Sequence, residues 1–158
     1  MAKLRGKYGP VLAVLLGIIL LPIQVLAAEL PLEADLQEEM LALINGERER
    51  EGLSPLFLQD ELTAVALAHA RDMIARDYFS HISPDNLSPA DRLHQAGLTF
   101  NVMGENLAGS TSVGRAHDLL MKSPGHRANI LDARFREAGI AVVRGGRYGL
   151  MMVMLFKD

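Results

Sequence analysis

The chain has 158 residues, no cysteine and no tryptophan, and a formal net charge of −3 at pH 7. Three of its 16 basic residues and none of its 19 acidic ones lie in the first 28 positions, leaving 13 basic against 19 acidic residues beyond them, a net −6. Such an acidic balance gives no footing for nucleic acid, and the lack of cysteine excludes disulfides, thiolate metal sites and a lipoprotein anchor, so packing alone must hold the fold.

Residues 1–28 have the order of a secretory signal. Lys3, Arg5 and Lys7 form a basic stub, Val11 to Leu21 an apolar run, and Val25-Leu26-Ala27-Ala28 a small-residue exit before Glu29. The run is 11 residues long, or 18 if counted past Pro22 to Ala28, against the roughly 20 that a membrane span needs. Two outcomes stay open, a cleaved signal peptide or an N-terminal membrane anchor. Either one puts the remainder outside the cytoplasm, secreted or in the cell envelope, with membrane contact only if the segment is retained. Residues 29–35 read as a short lead-in and 36–158 as one domain, long enough at about 120 residues for a single core.

Within that domain, Leu36, Met40, Leu43, Ile44 and Glu47 recur at helical spacing until Gly52. A turn at Ser54-Pro55 and the apolar piece Leu56-Phe57-Leu58 lead to Asp60, an expected N-cap. Leu62, Val65, Ala66, His69, Ala70 and Met73 then mark one face of a second helix. A short third helix is expected from Ser88, with Pro89 in its first turn and Asp91 three residues after the cap, ending near Gly97. Leu98 to Met103 is a candidate strand. Ser112 to Met121 reads as a fourth helix with Val113, Ala116, His117, Leu120 and Met121 inward, broken by Pro124-Gly125. Gly139–Arg144 and Tyr148–Phe156, apolar runs around Gly145-Gly146, predict a β-hairpin. Strands this apolar need helices on both faces, and a third strand, from 98–103, to be stable. The class is α+β.

Of the five histidines, His69 and His117 sit on apolar helical stripes and read as buried, hydrogen-bonded imidazoles. His94 lies near a helix end, where a cation complements the dipole. His81, in Ser80-His81-Ile82-Ser83-Pro84, and His126, in Ser123-Pro124-Gly125-His126-Arg127, belong to no apolar period. Glu105, in Gly104-Glu105-Asn106, lies among apolar stretches, where a carboxylate must face a cleft or find a partner. Together, His81, Glu105 and His126 can bind a divalent transition metal, orient a water, or form a polar hydrogen-bond network. They are far apart in sequence, so only the fold can join them. No His-Glu-x-x-His helix, Gly-x-Ser-x-Gly elbow or Gly-rich phosphate loop is present. Ser123 near His126 is better explained as a turn or helix start than as a nucleophile.

These pieces, in this order, carry a resemblance. Leu43-Ile44-Asn45-Gly46-Glu47-Arg48, Phe79-Ser80-His81, Gly104-Glu105-Asn106-Leu107-Ala108, Ser123-Pro124-Gly125-His126-Arg127-Ala128-Asn129-Ile130-Leu131, then Phe135, Gly139-Ile140 and the hairpin resemble the bacterial branch of the CAP superfamily over about residues 36–156. That superfamily comprises cysteine-rich secretory proteins, insect venom antigens and plant pathogenesis-related proteins. The resemblance implies an α-β-α sandwich with a small antiparallel sheet between helices and a cleft on one side. It maps His81, Glu105 and His126 onto the family's cleft residues, of which the two histidines bind zinc or a similar divalent cation in members with the full set. Many eukaryotic members add a second glutamate and a tryptophan, and here Ser123 and Leu120 stand at the matching positions.

The expected function is a binding module whose cleft takes a small molecule, a lipid or a protein, with turnover the less favoured class. The alternatives are a metal-assisted hydrolase using Glu105 as general base, and a structural envelope or coat protein.

Overall fold

The computed structural model describes residues 29–158; the leader assigned to 1–28 lies outside them. In chain order the elements are α1 (Ala34–Arg50), β1 (Phe57–Leu58), α2 (Asp60–Ala75), α3 (Pro89–Gln95), β2 (Met103–Ser110), α4 (Val113–Lys122), α5 (Pro124–Ile130), β3 (Glu137–Arg144) and β4 (Leu150–Lys157). The strands form one sheet in the order β1-β3-β4-β2. The β2–β4 and β3–β4 pairs are antiparallel and the two-residue β1 lies parallel to β3, so the sheet is mixed.

Side-chain alternation along the strands divides the core in two. Ala138, Ile140 and Val142 of β3 and Met152, Met154 and Phe156 of β4 face Met40 and Ile44 of α1, Ala116 and Leu120 of α4, and Ile130 of α5. The intervening Ala141, Val143, Met151, Val153 and Leu155 face Leu62, Val65, Ala66 and Met73 of α2 and Leu93 of α3. Helices therefore cover both faces. The sandwich matches the architecture expected from the resemblance, with β1 as an added parallel edge.

Close approach sets two glycines. A Cβ on Gly139 would lie 2.3 Å from the backbone carbon of Leu62, so α2 can press onto β3 only there. A Cβ on Gly104 would lie 3.0 Å from the Asn129 side chain, which α5 lays against β2.

Several boundaries differ from the sequence reading. The N-cap of α2 is Gln59, whose side chain accepts from the amide of Leu62, and Asp60 is already the first helical residue. The third large strand runs over 103–110 rather than 98–103; eight consecutive residues pair with β4, and that pairing overrides the weak strand propensity of Gly104, Glu105, Asn106 and Gly109. Tyr148 sits in the hairpin turn, its ring over Gly109, and β4 begins at Leu150. Pro124-Gly125 ends α4 but also opens α5, with Pro124 at the first helical position, where its missing N–H costs nothing.

A further surprise is Arg48, fully buried on α1. Its guanidinium donates to the carbonyls of Ser54 (2.9 Å), Ile130 (2.9 Å), Asp132 (3.0 Å) and Phe135 (3.2 Å). It ties the end of α5 and the following loop to α1, and burial lowers its pKa.

Candidate functional site

The site forms along β2, the edge strand opposite β1. Alternation turns Glu105 toward the α2–α3 layer and Asn106 toward the α4–α5 layer. Neighbouring residues of one strand thus organise two loops on opposite faces of the sheet.

On the first face, Glu105 is 2 % exposed at its side chain and both of its oxygens are taken. Arg92 of α3 donates from Nη2 to Oε2 at 2.7 Å, and Oε1 lies 2.7 Å from Nδ1 of His81. A carboxylate only accepts, so Nδ1 carries a hydrogen, and in the neutral ring Nε2 keeps its lone pair. The other donors of Arg92 fix the loop itself, with Nη1 reaching the carbonyls of His81 and Leu87, both at 3.0 Å. The ring of His81 remains half-exposed. Arg92 is presented by a helix too short to be stable alone, which its Ser88–Asp91 capping box and Pro89 hold in place.

On the second face, the side chain of Asn106 is fully buried and donates to the carbonyl of His126 at 3.0 Å. Asn129, one turn further along α5, donates to the side chain of Asn106 (2.9 Å) and to the carbonyl of Glu105 (3.2 Å). This latch sets the first turn of α5, and with it His126, against the β2 edge. Burial, and secondarily the charge of His81, lowers the pKa of His126, so its imidazole stays neutral to lower pH than an exposed one.

Below His126 runs a groove of about 300 Å³ lined by Phe79, Leu107, Gly109, Leu119, Leu120 and Tyr148 among others. Phe79 and Leu119 are exposed, and the rings of Phe79 and Tyr148 meet edge-on at 5.3 Å. Ser123 lines the same groove, as the shared cap of α4 and α5. Among the described residues no group of three or more His, Cys, Asp or Glu is arranged to hold a metal ion.

His69 and His117 are buried, and burial is the first cause of the lowered pKa of each. His69 contacts the Ser80 carbonyl at 3.0 Å, whereas Nε2 of His117 has no partner among the described residues. His94 stacks on Phe100 at 5.0 Å, away from the groove. Three functional residues escaped the sequence reading as individuals: Arg92, Asn106 and Asn129.

Residues 41–156 match the family model described as CAP, the cysteine-rich secretory protein family. The chain belongs to that family. This CAP domain is 35 % identical over 111 residues to YkwD of Bacillus subtilis strain 168, an alignment covering 70 % of the chain and 43 % of YkwD. It superposes with a TM-score of 0.72 and 30 % identity on an extracellular SCP-domain protein of Bacillus anthracis, covering 80 % of this chain and 41 % of that one. An outer surface protein of Borrelia burgdorferi, 21 % identical, shares the fold with a TM-score of 0.73 over 78 % of this chain and 92 % of its own. The chain spans less than half the length of YkwD and of the B. anthracis protein. No described helix is long and apolar enough to cross a membrane.

Proposed function

We propose that this CAP domain is a secreted or cell-envelope binding module that takes an apolar ligand in the β2-edge groove, with a divalent cation such as zinc shared by His81 and His126 at its rim. The observation that carries the reading is the buried Arg92–Glu105–His81 chain. A fully committed carboxylate behind an exposed imidazole fixes the tautomer and aims the free nitrogen outward, as outer partners of metal-binding histidines do. The extracellular relative from B. anthracis supports the location.

The donor set fits an exchangeable ion rather than a structural one. Two imidazoles are intermediate donors suited to zinc, while Glu105 has no oxygen to spare. An ion held there would keep open positions for an oxygen or nitrogen of the ligand, and would supply Lewis acidity at the groove mouth. The same commitment argues against the hydrolase reading, since a general base must reach a water.

Calorimetric titration with zinc tests the proposal. Saturable binding should occur at pH 7.5 and weaken as the solution is acidified, because a protonated imidazole has no lone pair to give. His81→Ala or His126→Ala should remove most of it, and His94→Ala should leave it unchanged. Binding indifferent to both cleft histidines, or none between pH 6 and 8, overturns the reading.

A further inference from the structure

The β2-edge groove has a floor of unpaired main chain. In an antiparallel ladder, successive residues of a strand direct both N–H and C=O alternately to one side and the other. The carbonyls of Ala138, Ile140 and Val142 point away from β4, accepting from the Gln59 amide (3.0 Å), the Gln37 side chain (2.7 Å) and the Glu33 amide (2.9 Å). Gly139, Ala141 and Val143 therefore bond to β4, and their partners there, Leu155, Val153 and Met151, face β3. Those same β4 residues lie opposite Glu105, Leu107 and Gly109, whose N–H and C=O consequently point out of the sheet. The Glu105 carbonyl does so, accepting from Asn129 at 3.2 Å. No side chain or loop backbone group among the described residues bonds to the main chain of Leu107 or Gly109.

Both residues line the groove. Gly109, half-buried, has no side chain to offer, and that of Leu107 packs into the α2–α3 layer, so each meets the groove with main chain. The walls are apolar, with Phe79 and Tyr148 on one face of the sheet and Leu119 and Leu120 of α4 on the other. An alkyl chain would suit those walls but leave the strand edge unmatched. An extended peptide matches the edge and gives its alternate side chains to the two walls. Charge says more about that peptide. The lining holds no carboxylate, lysine or arginine, so the inserted side chains are uncharged. The histidines lie at the Glu105–Asn106 end of the floor and Tyr148 at the Gly109 end. A strand antiparallel to β2 runs toward the histidines and ends there, where its carboxylate complements a divalent cation.

We propose that the groove takes the C-terminal tail of a polypeptide, uncharged in its last few residues, added to the sheet as an antiparallel strand beside Leu107 and Gly109. This deepens the reading of the groove as a binding site, and rests on the shared cation for the carboxylate alone; the ladder of main-chain hydrogen bonds needs no metal.

The probe is acetyl-Thr-Val-Ala-Val with a free carboxyl end, titrated into the ¹⁵N-labelled protein with and without zinc and followed by NMR. The amides of Leu107 and Gly109 should shift downfield saturably in both states, with a dissociation constant of about 1 mM or below when zinc is present. Strand pairing uses alternate amides of the peptide. N-methylation of both valines, or of the threonine and alanine, should therefore weaken binding about tenfold or more in one case and leave it nearly unchanged in the other. Amidation of the carboxyl end should weaken binding only in the zinc-loaded protein. Leu119→Glu, at an exposed position of α4, should abolish the shifts, whereas Phe57→Ser, at the opposite edge of the sheet, should not change them. No saturation by about 10 mM, or equal effects of the two N-methylation patterns, overturns the proposal. So does decanoate binding more tightly than the peptide, which leaves an apolar-ligand groove standing without the strand. Shifts of the same amides with protein concentration alone would make a second copy the occupant, and equal affinity of the amidated peptide for the zinc-loaded protein would overturn the direction assigned. A protein that takes up no zinc defeats the cation reading by itself, because the metal-free titration still decides the strand.

Discussion

At Glu105 a single carboxylate sits between a guanidinium and an imidazole, and its removal exposes how the site is built. Glu105→Gln keeps the shape but leaves Arg92 as a buried cation without a counter-charge, which costs about 3–5 kcal/mol where it has been measured in comparable settings. Urea unfolding at pH 7.5 should show a loss of that order; a loss under about 1 kcal/mol would mean that solvent reaches Arg92. The histidines set the pH response. His69, His117 and His126 all have folded pKa values below the ordinary one, with burial as the first cause. The unfolded chain therefore takes up protons near pH 6.5 that the folded domain refuses, and stability falls as pH drops through that value. The urea midpoint should be lower at pH 5.5 than at 7.5, and His69→Gln should shrink the difference. A midpoint unchanged between these pH values contradicts the burial of these rings.

Helix α2 shows what element-level patterning can and cannot deliver. The spacing of Leu62, Val65, Ala66, Ala70 and Met73 identifies the buried face without help from the structure, and all five are buried. Leu62→Ala should cost about 2–5 kcal/mol by urea unfolding. Gly139→Ala should be at least as damaging, since the obstacle to its Cβ is the α2 backbone rather than a flexible side chain. A near-neutral Gly139→Ala would show that α2 can slide off β3. Helix α3 was legible because its cap is local: Ser88, Pro89 and Asp91 lie within four residues of one another. Strand β2 and helix α5 were not. The register of β2 is decided by β4, far downstream in the chain, and its two glycines make room for Asn129 and Tyr148, contacts that no local propensity encodes. Pro124-Gly125 carries the same letters whether it ends one helix or begins another, and only the tertiary setting of Ser123 as a shared cap decides.

Across the whole molecule, both polar clusters hang on the β2 edge. The sheet is buried on each face, so Glu105 and Asn106, pointing opposite ways, can each anchor a separate layer. Histidines from the α2–α3 loop and from α5 are thereby brought to one edge although 45 positions separate them in the chain. The resemblance named Glu105 along with the two histidines, yet the residue that holds its charge, Arg92, lies in no motif and emerges only when the layers are assembled. The cysteine-free core explains how this arrangement holds without disulfides: Arg48 closes the α1–α5 side with four hydrogen bonds to carbonyls. A crystal of the protein grown with zinc tests the central claim most directly, by anomalous scattering at the zinc edge. The account predicts a peak about 2.0–2.1 Å from Nε2 of His81 and from a ring nitrogen of His126, with Glu105 still bonded to Arg92. A peak held by Glu105 itself, or no peak between these two histidines, would contradict it.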